Sequence, residues 1–513
     1  MDRNEELLLP ARVEDYVAED NLVRVIDVFV DGMSRGKEEG ALPELREMGE
    51  KGGRPSYDPS IMAKLFIWGY LRKERSSRRL EHASGDRMEV IWLLGNLRPD
   101  HCSISRFRAA NARRIKTWLR EFNLIVAQVG LFGGEQCAVD GALLKAVNSK
   151  ARNFTAKKIK KMLEKYDERI ERYLAALEDN DAEDDAAALE VAELQQKMER
   201  VKELQAKYEA LREKAQDSPT GQVSLTDEEA VLVQKKATPG SAVVGYNAQS
   251  AVDGANHLIA AVEVSNATHD KGQLESMAKA ACEGMGRKVP AEEEGRQGGE
   301  QSGGDSPDQE ERSPQSGEAP KILADAGYKD FSDIAATEAL GFDPHVALSS
   351  GRPKKSKIFA FEEFRYDRDE DCYHCPNGGK LLRHADSKEP NGISQTYYNV
   401  ASCRDCPIKE QCTKGSYRKL KRHQDQDCID RMKHRMVEDP GAYKRRAAIV
   451  EHPFGTMLFW REARALLCRG QEKAGAEFTL SALSYNITRV ANLLGVGELV
   501  RMLKVHQARR TVA

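Results

Sequence analysis

Two short apolar segments that each end in an aspartate constrain the fold of this chain more than any other feature of its sequence. Residues 137–139 lead into Asp140, and residues 322–324 lead into Asp325. Short apolar runs bounded by polar residues are typical of buried strands. A third acidic residue, Glu451, lies in a basic segment whose pattern is helical. The sequence therefore predicts two strands that end in an aspartate and a late helix that carries a glutamate.

Three carboxylates in these settings are typical of a site for two divalent metal ions. Mg²⁺ prefers carboxylate oxygens and keeps several waters, so two or three carboxylates and substrate phosphates complete its coordination. A pair of such ions activates the attacking oxygen and stabilises the leaving oxygen in phosphoryl transfer. The alternative is that each carboxylate belongs to a turn or a helix cap. We predict that Asp140, Asp325 and Glu451 are catalytic and bind two Mg²⁺ or Mn²⁺ ions.

Length and composition predict a protein of several domains. A chain of 513 residues is too long for one hydrophobic core. No apolar run approaches the roughly 20 residues of a membrane span, and the N-terminus lacks the basic start and apolar centre of a signal peptide. We therefore expect a cytoplasmic protein with no membrane partner. The net charge of −3 excludes no class of partner, because acidic inserts offset the basic segments 414–422 and 431–446.

Residues 1–128 have the pattern of a helical domain. Pro59 follows an aspartate as an N-cap and first-turn pair, and apolar residues then recur at helical spacing. A last helix is predicted from its N-cap Ser103 to residue 122, with Arg106 and Arg108 among its arginines. Short helices that end in a basic helix are typical of helix-turn-helix DNA readers, although a solvated basic face on a packing domain fits the same pattern. We predict DNA contacts at these two arginines.

Two inserts interrupt the chain before its last third. Residues 155–218 repeat apolar side chains at helical spacing on both sides of a polar stretch, which predicts an antiparallel helical hairpin. This hairpin is either a dimerisation element or a protruding arm. Residues 286–319 consist mostly of Gly, Glu, Gln, Ser, Asp and Pro, and they predict a disordered linker.

Residues 351–425 form a third, cysteine-rich insert with the spacing of a zinc site. Two closely spaced pairs of thiolates suit tetrahedral Zn²⁺, and closed sites of this kind are structural. We predict a zinc-ribbon-like insert in which four of the five cysteines bind Zn²⁺, with the last two interchangeable as the fourth ligand. A redox pair is the alternative. The five are Cys372 and Cys375, Cys403 and Cys406, and then Cys412.

The remaining segments predict an α/β core with one mixed sheet flanked by helices. Residues 242–252 and 257–264 read as the two strands of a hairpin. A helix near residues 271–283 follows, then the strand that ends at Asp325 and another strand at residues 346–348. Acidic residues on two strands and one helix resemble the ribonuclease H-like arrangement. The predicted catalytic domain comprises residues 129–154, 225–285, 320–350 and 436–500.

Asp270 follows the second strand of the predicted hairpin. Two roles are open: it caps the helix that follows, or it orients the metal ligands. Aspartate is common at helix N-caps, so the sequence favours the cap. Asp253, between the two strands, reads as a turn residue.

Several motifs make the chain resemble bacterial insertion-sequence transposases of the DDE type. Gly53-Arg-Pro-Ser-Tyr-Asp-Pro59 and Pro99-Asp-His-Cys-Ser-Ile-Ser-Arg-Phe107 are similar to parts of their helical N-terminal domain. Four segments are similar to motifs of their catalytic domain, including that of members with a cysteine-rich insert: Val139-Asp-Gly141, Val244-Gly-Tyr-Asn-Ala-Gln249, Ala324-Asp-Ala-Gly-Tyr328 and Val450-Glu-His-Pro-Phe-Gly455.

The resemblance implies that the three acidic residues are the triad of a DNA transposase. The implied activity is cleavage at the transposon ends, which exposes a 3′-hydroxyl, followed by attack of that hydroxyl on target DNA. The implied partners are terminal inverted repeats and target DNA, held by a homodimer or a larger synaptic complex that associates with the nucleoid. The predicted DNA contacts near the glutamate are Tyr443, Arg445 and Arg446, of which the first and last match family residues that help hold donor DNA.

One position departs from the family pattern. Leu458 stands where the family has a lysine, seven residues past the glutamate. This departure keeps a second function open, a catalytically inactive, transposase-derived DNA-binding protein that acts as a repressor or architectural factor. A nuclease that cuts without joining is a narrower alternative.

Overall fold

The structure is a computed structural model of the chain. Most of the predicted linker at residues 286–319 lies outside the residues that it describes. The described residues are 12–34, 41–43, 56–178, 185–218, 221–234, 242–290, 319–347, 358–389 and 391–512.

Helices dominate the two ends of the chain, and strands lie between them. In chain order the α-helices are α1 Val23–Asp31, α2 Pro59–Arg72, α3 Ser77–Asp86, α4 Met88–Leu93, α5 His101–Ala110, α6 Ala112–Ala127, α7 Ala156–Glu178, α8 Asp185–Asp217, α9 Leu274–Gly284, α10 Phe331–Ala339, α11 Val400–Arg404, α12 Lys409–Cys412, α13 Gln426–Glu438, α14 Ala442–Gly455, α15 Gln471–Leu494 and α16 Val496–Val512. The strands are β1 Gln136–Lys145, β2 Asn153–Thr155, β3 Gln222–Ser224, β4 Val231–Gln234, β5 Ala242–Asp253, β6 Ile259–Ser265, β7 Lys321–Ala324, β8 Asp343–Val346, β9 Arg365–Asp367, β10 Cys372–His374, β11 Lys380–Glu389, β12 Gly392–Tyr398 and β13 Leu420–His423.

A helical region precedes the first strand, as the sequence predicts. Asp58 caps α2, because its carboxylate accepts a hydrogen bond from the N–H of Ser60 at 2.8 Å while Pro59 occupies the first turn. Trp68 of α2 and Trp118 of α6 are buried in one apolar cluster. The helices of this region therefore share a core.

The last helix of this region differs from the prediction. Residues 103–122 belong to two helices, α5 and α6, which meet at Asn111. The N-cap of α5 is Asp100 and not Ser103, since the Asp100 carboxylate accepts hydrogen bonds from the N–H groups of Cys102 and Ser103, both at 3.0 Å. One carboxylate oxygen, Oδ1, accepts both bonds, so it satisfies two N–H groups that would otherwise lack partners.

A mixed sheet forms the α/β region. β1 pairs antiparallel with β5 on one side and parallel with β7 on the other. β8 extends the β7 side in parallel, and β4 and β6 pair with successive parts of β5. The predicted hairpin is confirmed as β5 and β6. The strand predicted at residues 346–348 lies earlier in the chain, as β8.

Residues 155–218 hold the predicted antiparallel pair of helices, α7 and α8. Ile159 and Leu163 near the start of α7 pack with Leu211 and Ala215 near the end of α8. Residues 179–184, between the two helices, lie outside the described residues.

The cysteine-rich insert contains an antiparallel five-stranded sheet of β9 to β13. The strands follow one another in space as they do in the chain. Buried Phe364, Tyr373, Leu381 and Tyr397 form its small apolar core. The structure thus describes a sheet with its own core, where the sequence predicts a zinc ribbon.

α15 joins the helical region to the mixed sheet. Asn486 of α15 donates a hydrogen bond to Asn123 of α6 at 2.8 Å, and its side-chain oxygen accepts one from the N–H of Ile259 at the start of β6, at 2.9 Å. All three residues are buried, so the helical region and the sheet share one interior. Within the part of the chain that the structure describes, no helix is long and apolar enough to cross a membrane.

Candidate active site

Asp140 lies in the middle of β1 and not at the end of a strand as the sequence predicts. β5 pairs with β1 from Cys137 to Lys145, so the strand continues past the aspartate. Asp140 pairs with Ser250 in this register. The apolar run that precedes Asp140 covers only the buried first part of the strand. The residues from Asp140 onward are mostly half-buried, so the apolar pattern ends before the strand does.

Asp325 lies level with Asp140 beyond the end of the neighbouring strand. β1 and β7 are parallel, and Ala138 pairs with Leu323. Asp140 and Asp325 each follow these paired residues by two positions, so they lie at the same level. Neighbouring strands are about 4.8 Å apart. Asp325 keeps an extended backbone and caps a short turn by accepting a hydrogen bond from the N–H of Gly327 at 2.7 Å. The structure thus brings the two predicted aspartates together.

Arg446 of α14 faces this pair of aspartates. Its Nη1 lies 3.3 Å from Oδ2 of Asp140, and only 12% of the Arg446 side chain and 28% of the Asp140 side chain are exposed. Burial raises the pKa of Asp140, and the charge of Asp325 raises it further, whereas Arg446 and the N–H of Gly141 oppose the rise. Burial outweighs the arginine, so the pKa of Asp140 lies above its ordinary value.

Glu451 is on the same helix as Arg446 but is exposed to solvent. It follows Arg446 by five residues, which places it about 7.5 Å further along the helix axis. Val450, immediately before it, is fully buried. The structure therefore groups Asp140, Asp325 and Arg446, and it leaves the Glu451 carboxylate at the surface of the helix that packs on them.

The other predicted DNA contacts near the site differ in their surroundings. Arg445 donates a hydrogen bond to Gln136 of β1 at 3.1 Å and pairs with Asp439. The side chain of Tyr443 lies outside what the structure describes. Arg106, in the helical region, is exposed and lines an open groove between the starts of α3 and α5.

Arg108 does not lie on a basic surface as predicted. Only 6% of its surface is exposed. Its Nη1 donates to the backbone oxygen of Arg75 at 3.3 Å, and its guanidinium lies 5.7 Å from the centre of the Phe66 ring. The spacing suggested an exposed basic face, but it does not show that Phe66 of α2 and the backbone of Arg75 pack against this side chain. In this conformation Arg108 is a packing residue that DNA cannot reach.

Two family descriptions match separate parts of the chain. The family described as Transposase domain (DUF772) matches residues 11–110, and the family described as Transposase DDE domain matches residues 374–491. These matches support a DDE-type insertion-sequence transposase. The second match includes Glu451, whereas Asp140 and Asp325 lie outside both. No curated protein matches the chain, and no solved structure matches it.

Four of the five predicted zinc ligands of the transposase come together. Burial raises the pKa of the Cys412 thiol, and the nearby Cys403, Cys375 and Cys406 raise it further. Cys375 also accepts a hydrogen bond from the N–H of Gly379 at 3.2 Å. Four thiols from two parts of the insert thus lie near one another.

Cys372 belongs to a different group. Its Sγ lies 3.6 Å from Oε2 of Glu370 and 4.0 Å from Nε2 of His374. Among the described residues, this is the group whose three ligand atoms lie within 4.8 Å of one another. The four thiols of the other cysteines are spread more widely, so they would have to move closer to bind one ion.

The sequence favours Asp270 as the cap of α9, but the structure shows that Asp270 does not cap this helix. Asp333 of α10 does so instead, since its carboxylate accepts from the N–H of Leu274 at 2.9 Å. Asp270 lies beneath β1 and accepts hydrogen bonds from Asn247 at 2.9 Å and from Gln249 at 3.1 Å. The sequence signal for this network is the pair of carboxamides two residues apart on β5, which face one side of the sheet.

Proposed function

We propose that this transposase binds the ends of its element and both cleaves and joins DNA by metal-dependent phosphoryl transfer. The observation that carries the proposal is the level placement of Asp140 and Asp325 on parallel strands, with Arg446 facing them. The strand order also supports a ribonuclease H-like catalytic fold, because β1 has antiparallel strands on one side and parallel strands on the other.

The two aspartates have the donor chemistry that a divalent cation requires. Mg²⁺ and Mn²⁺ bind carboxylate oxygens, and both side chains are half-buried, which leaves a side open to substrate. A bound pair of such ions would activate the attacking oxygen and stabilise the leaving one. Asp140 and Asp325 would hold the cations, and Arg446 would bind a substrate phosphate beside them. The arginine is suited to this because its guanidinium forms paired hydrogen bonds with phosphate.

Glu451 would join the aspartates as the third ligand. Its side chain is exposed, so it reaches them only if the last turns of α14 move toward β1. Pro453 lies inside the helix, and a π-helical segment, Thr456–Trp460, follows it directly. Both features interrupt the regular hydrogen bonds of a helix, and π-helical turns are frequent at functional sites. We therefore propose that metal and DNA binding shift this part of α14 and bring Glu451 toward the two aspartates.

DNA binding would rest on basic residues in two regions. Arg445 and Arg446 on α14, together with Tyr443, would contact the donor strand near the metal site. Arg106 would contact the DNA backbone from the helical region, where it lines an exposed groove with Arg78. Contacts of this kind neutralise phosphates, so we expect binding to weaken steeply as salt rises.

Strand transfer requires two element ends, so we propose a homodimer or a larger synaptic complex. The helical hairpin of α7 and α8 offers a surface for such contacts. Leu174 on α7 is 46% exposed and Leu204 on α8 is 41% exposed. Both side chains would be buried if two copies associate through this hairpin.

We also propose one structural Zn²⁺ in the cysteine-rich insert. Cys375, Cys403, Cys406 and Cys412 supply four soft donors, the set that closes a tetrahedral zinc shell. Cys372 is the cysteine left out, because its nearest polar neighbours are Glu370 and His374. The metal would join the start of the insert to its helices α11 and α12.

A second candidate function, DNA binding without catalysis, is favoured by Leu458 alone. Its side chain is partly buried and packs against the main core. It therefore offers neither a charge nor an exposed end to a phosphate. A protein that binds transposon ends without cutting them would act as a repressor or an architectural factor.

A cleavage and strand-transfer assay on labelled DNA with the element's own ends separates the two functions. We expect the transposase to cut and join this DNA with Mg²⁺ or Mn²⁺, and Asp325→Asn to do neither. Asp330→Asn is the matched control, because Asp330 is a nearby carboxylate that caps α10 through the N–H of Ser332. Tight binding of the ends with no cutting by the unaltered protein would establish the second function instead.

A further inference from the structure

We propose that Asp270 is a positioning residue of the metal site, which orients Asp325 and adds negative charge behind Asp140. The inference rests on the proposed function, because it concerns the same two aspartates. Asp270 lies on the segment between β6 and α9, outside the predicted triad. It is half-buried.

Two carboxamides hold the Asp270 carboxylate. Oδ1 accepts from Nδ2 of Asn247 at 2.9 Å and from Nε2 of Gln249 at 3.1 Å. Gln249 is fully buried, and its Nε2 also donates to Oδ1 of Asn247 at 3.0 Å. An ionised carboxylate only accepts hydrogen bonds, so the charge of Asp270 requires the Gln249 amide to present its nitrogen. The amide oxygen must then face the other way.

The Gln249 oxygen accepts a hydrogen bond from the hydroxyl of Tyr328. Tyr328 is fully buried and ends the short turn that Asp325 caps. Without the charge of Asp270, the Gln249 amide can rotate, and the Tyr328 hydroxyl loses its defined acceptor. Asp270 therefore acts on the position of Asp325 through two successive hydrogen bonds.

Gly141 connects Asp270 to the other aspartate. A Cβ atom at Gly141 would lie 2.6 Å from Oδ1 of Asp270 and 2.8 Å from Nε2 of Gln249. Only glycine leaves room for the carboxylate at this position. Since alternate residues of a strand face opposite sides, Asp270 lies behind β1 with respect to the Asp140 carboxylate.

The charges around the Tyr328 hydroxyl agree with this arrangement. Burial raises the pKa of Tyr328 well above its usual range, and the charges of Asp270, Asp140 and Asp325 raise it further. The three carboxylates therefore lie near one buried group. A third negative charge this close strengthens the attraction of the aspartate pair for a cation.

Mn²⁺ binding to the full-length transposase, measured by isothermal titration calorimetry, tests the role of Asp270. Asp270→Asn keeps the shape of the side chain and removes its charge, so we expect Mn²⁺ to bind about tenfold more weakly. Tyr328→Phe removes only the hydroxyl, and we expect a loss of about threefold. Both variants should keep the melting temperature of the unaltered protein within about 3 °C.

Asp253→Asn is the matched control. Asp253 is fully buried at the end of β5, and its carboxylate accepts hydrogen bonds from backbone N–H groups, among them those of Gly134 at 2.9 Å and Ala255 at 3.0 Å. We expect this variant to melt at a lower temperature and to bind Mn²⁺ with unchanged affinity. It therefore separates loss of a buried carboxylate from loss of the metal site.

The outcomes distinguish this inference from the proposed function. Unchanged Mn²⁺ affinity in Asp270→Asn, together with loss of binding in Asp140→Asn, would overturn the role of Asp270 and leave the proposed function standing. If Asp270→Asn melts at a lower temperature and Asp253→Asn loses as much Mn²⁺ affinity as Asp270→Asn does, the role of Asp270 would be overturned too. If the unaltered protein binds no Mn²⁺, or Asp140→Asn binds it equally well, the metal-dependent function itself is wrong.

Discussion

Arg446 and Asp140 form an ion pair at the centre of the candidate site, with 3.3 Å between Nη1 and Oδ2. The arginine comes from a helix and the aspartate from the central strand of the sheet, more than 300 residues earlier in the chain. The pair keeps a half-buried carboxylate next to a cation, which lowers the cost of burying its charge. Under the proposed function, the same guanidinium would also bind a substrate phosphate.

Removal of Arg446 should shift the pH dependence of cleavage. Arg446 lowers the pKa of Asp140 against the effect of burial, so Arg446→Ala raises that pKa further. Because the ionised carboxylate is the form that binds metal, we expect the acid limb of the pH–rate profile to move to higher pH. We also expect the rate at the pH optimum to fall by about 100-fold, as when a charge-stabilising donor is removed from an active site.

Arg445→Ala is the control for this prediction. Arg445 is bound to Gln136 and Asp439 and makes no ion pair with Asp140. We expect Arg445→Ala to weaken DNA binding and to leave the acid limb of the pH–rate profile unchanged. Equal shifts of the limb in both variants would mean that general loss of basic charge, and not the ion pair, sets the profile.

Gly141→Ala should reduce both stability and metal binding. The added methyl group would meet Asp270 and Gln249 at distances below 3.0 Å, and overpacking of this kind costs about 1–3 kcal/mol. Urea denaturation and Mn²⁺ titration of the same variant measure the two effects. Gly497→Ala serves as a control, because nothing lies within 4 Å of the corresponding atom in α16. We expect that variant to be as stable as the unaltered protein or slightly more so.

Zinc content should depend on four cysteines and not on the fifth. We expect Cys375→Ser, Cys403→Ser, Cys406→Ser and Cys412→Ser each to lose bound zinc, because a closed tetrahedral shell needs all four ligands. Cys372→Ser should keep it. Elemental analysis of the purified proteins by mass spectrometry measures the metal. Loss of zinc in Cys372→Ser alone would assign the metal to the group that contains Glu370 and His374.

Glu338 should stabilise the fold at neutral pH and lose that effect in acid. Burial raises its pKa, but hydrogen bonds from Arg431 and Arg435 outweigh burial and hold the pKa at about 2. A depressed carboxylate pKa contributes stability above the pKa of the unfolded chain, and this contribution is lost as the pH falls from about 4.5 to about 2.

Denaturation of Glu338→Gln at several pH values measures this contribution. We expect a loss of about 2 kcal/mol at pH 7, after a reduction for the partial exposure of the pair, and no difference from the unaltered protein at pH 2. A pH-independent difference would show that lost packing, and not the charge of Glu338, is responsible. Because Arg431 and Arg435 of α13 pair with Glu338, they also fix α13 against α10.

Local patterns predicted most of the secondary structure correctly. The paired helices α7 and α8, the hairpin of β5 and β6, and the cap of α2 at Asp58 each follow from residues close together in the chain. Periodicity and capping are local properties, because they depend on side chains within one or two turns of each other. The helix predicted from Ser103 to residue 122 is one exception, since Asn111 interrupts a pattern that continues through it. The ends of two predicted strands, at Asp140 and at residues 346–348, are others.

Partners distant in sequence could not be predicted in this way. Asp270 has the sequence context of a helix cap, but Asp333, 63 residues later, takes that place. Arg108 has the spacing of an exposed basic face, but Phe66 of α2 and the backbone of Arg75 pack against it. A local pattern indicates that a side chain is polar or apolar, and it does not indicate which distant segment will pack against it.

From the sequence alone we predicted residues for the proposed chemistry, namely acidic residues at buried strands, arginines on a late helix and a set of closely spaced cysteines. Which of these residues meet depends on the tertiary structure. The parallel pairing of β1 with β7 places Asp140 level with Asp325, α14 adds Arg446 to them, and Glu451 remains at the surface. The physical reason is that strand register and helix docking are set by backbone hydrogen bonds and burial across the whole core, which no single segment of the chain contains.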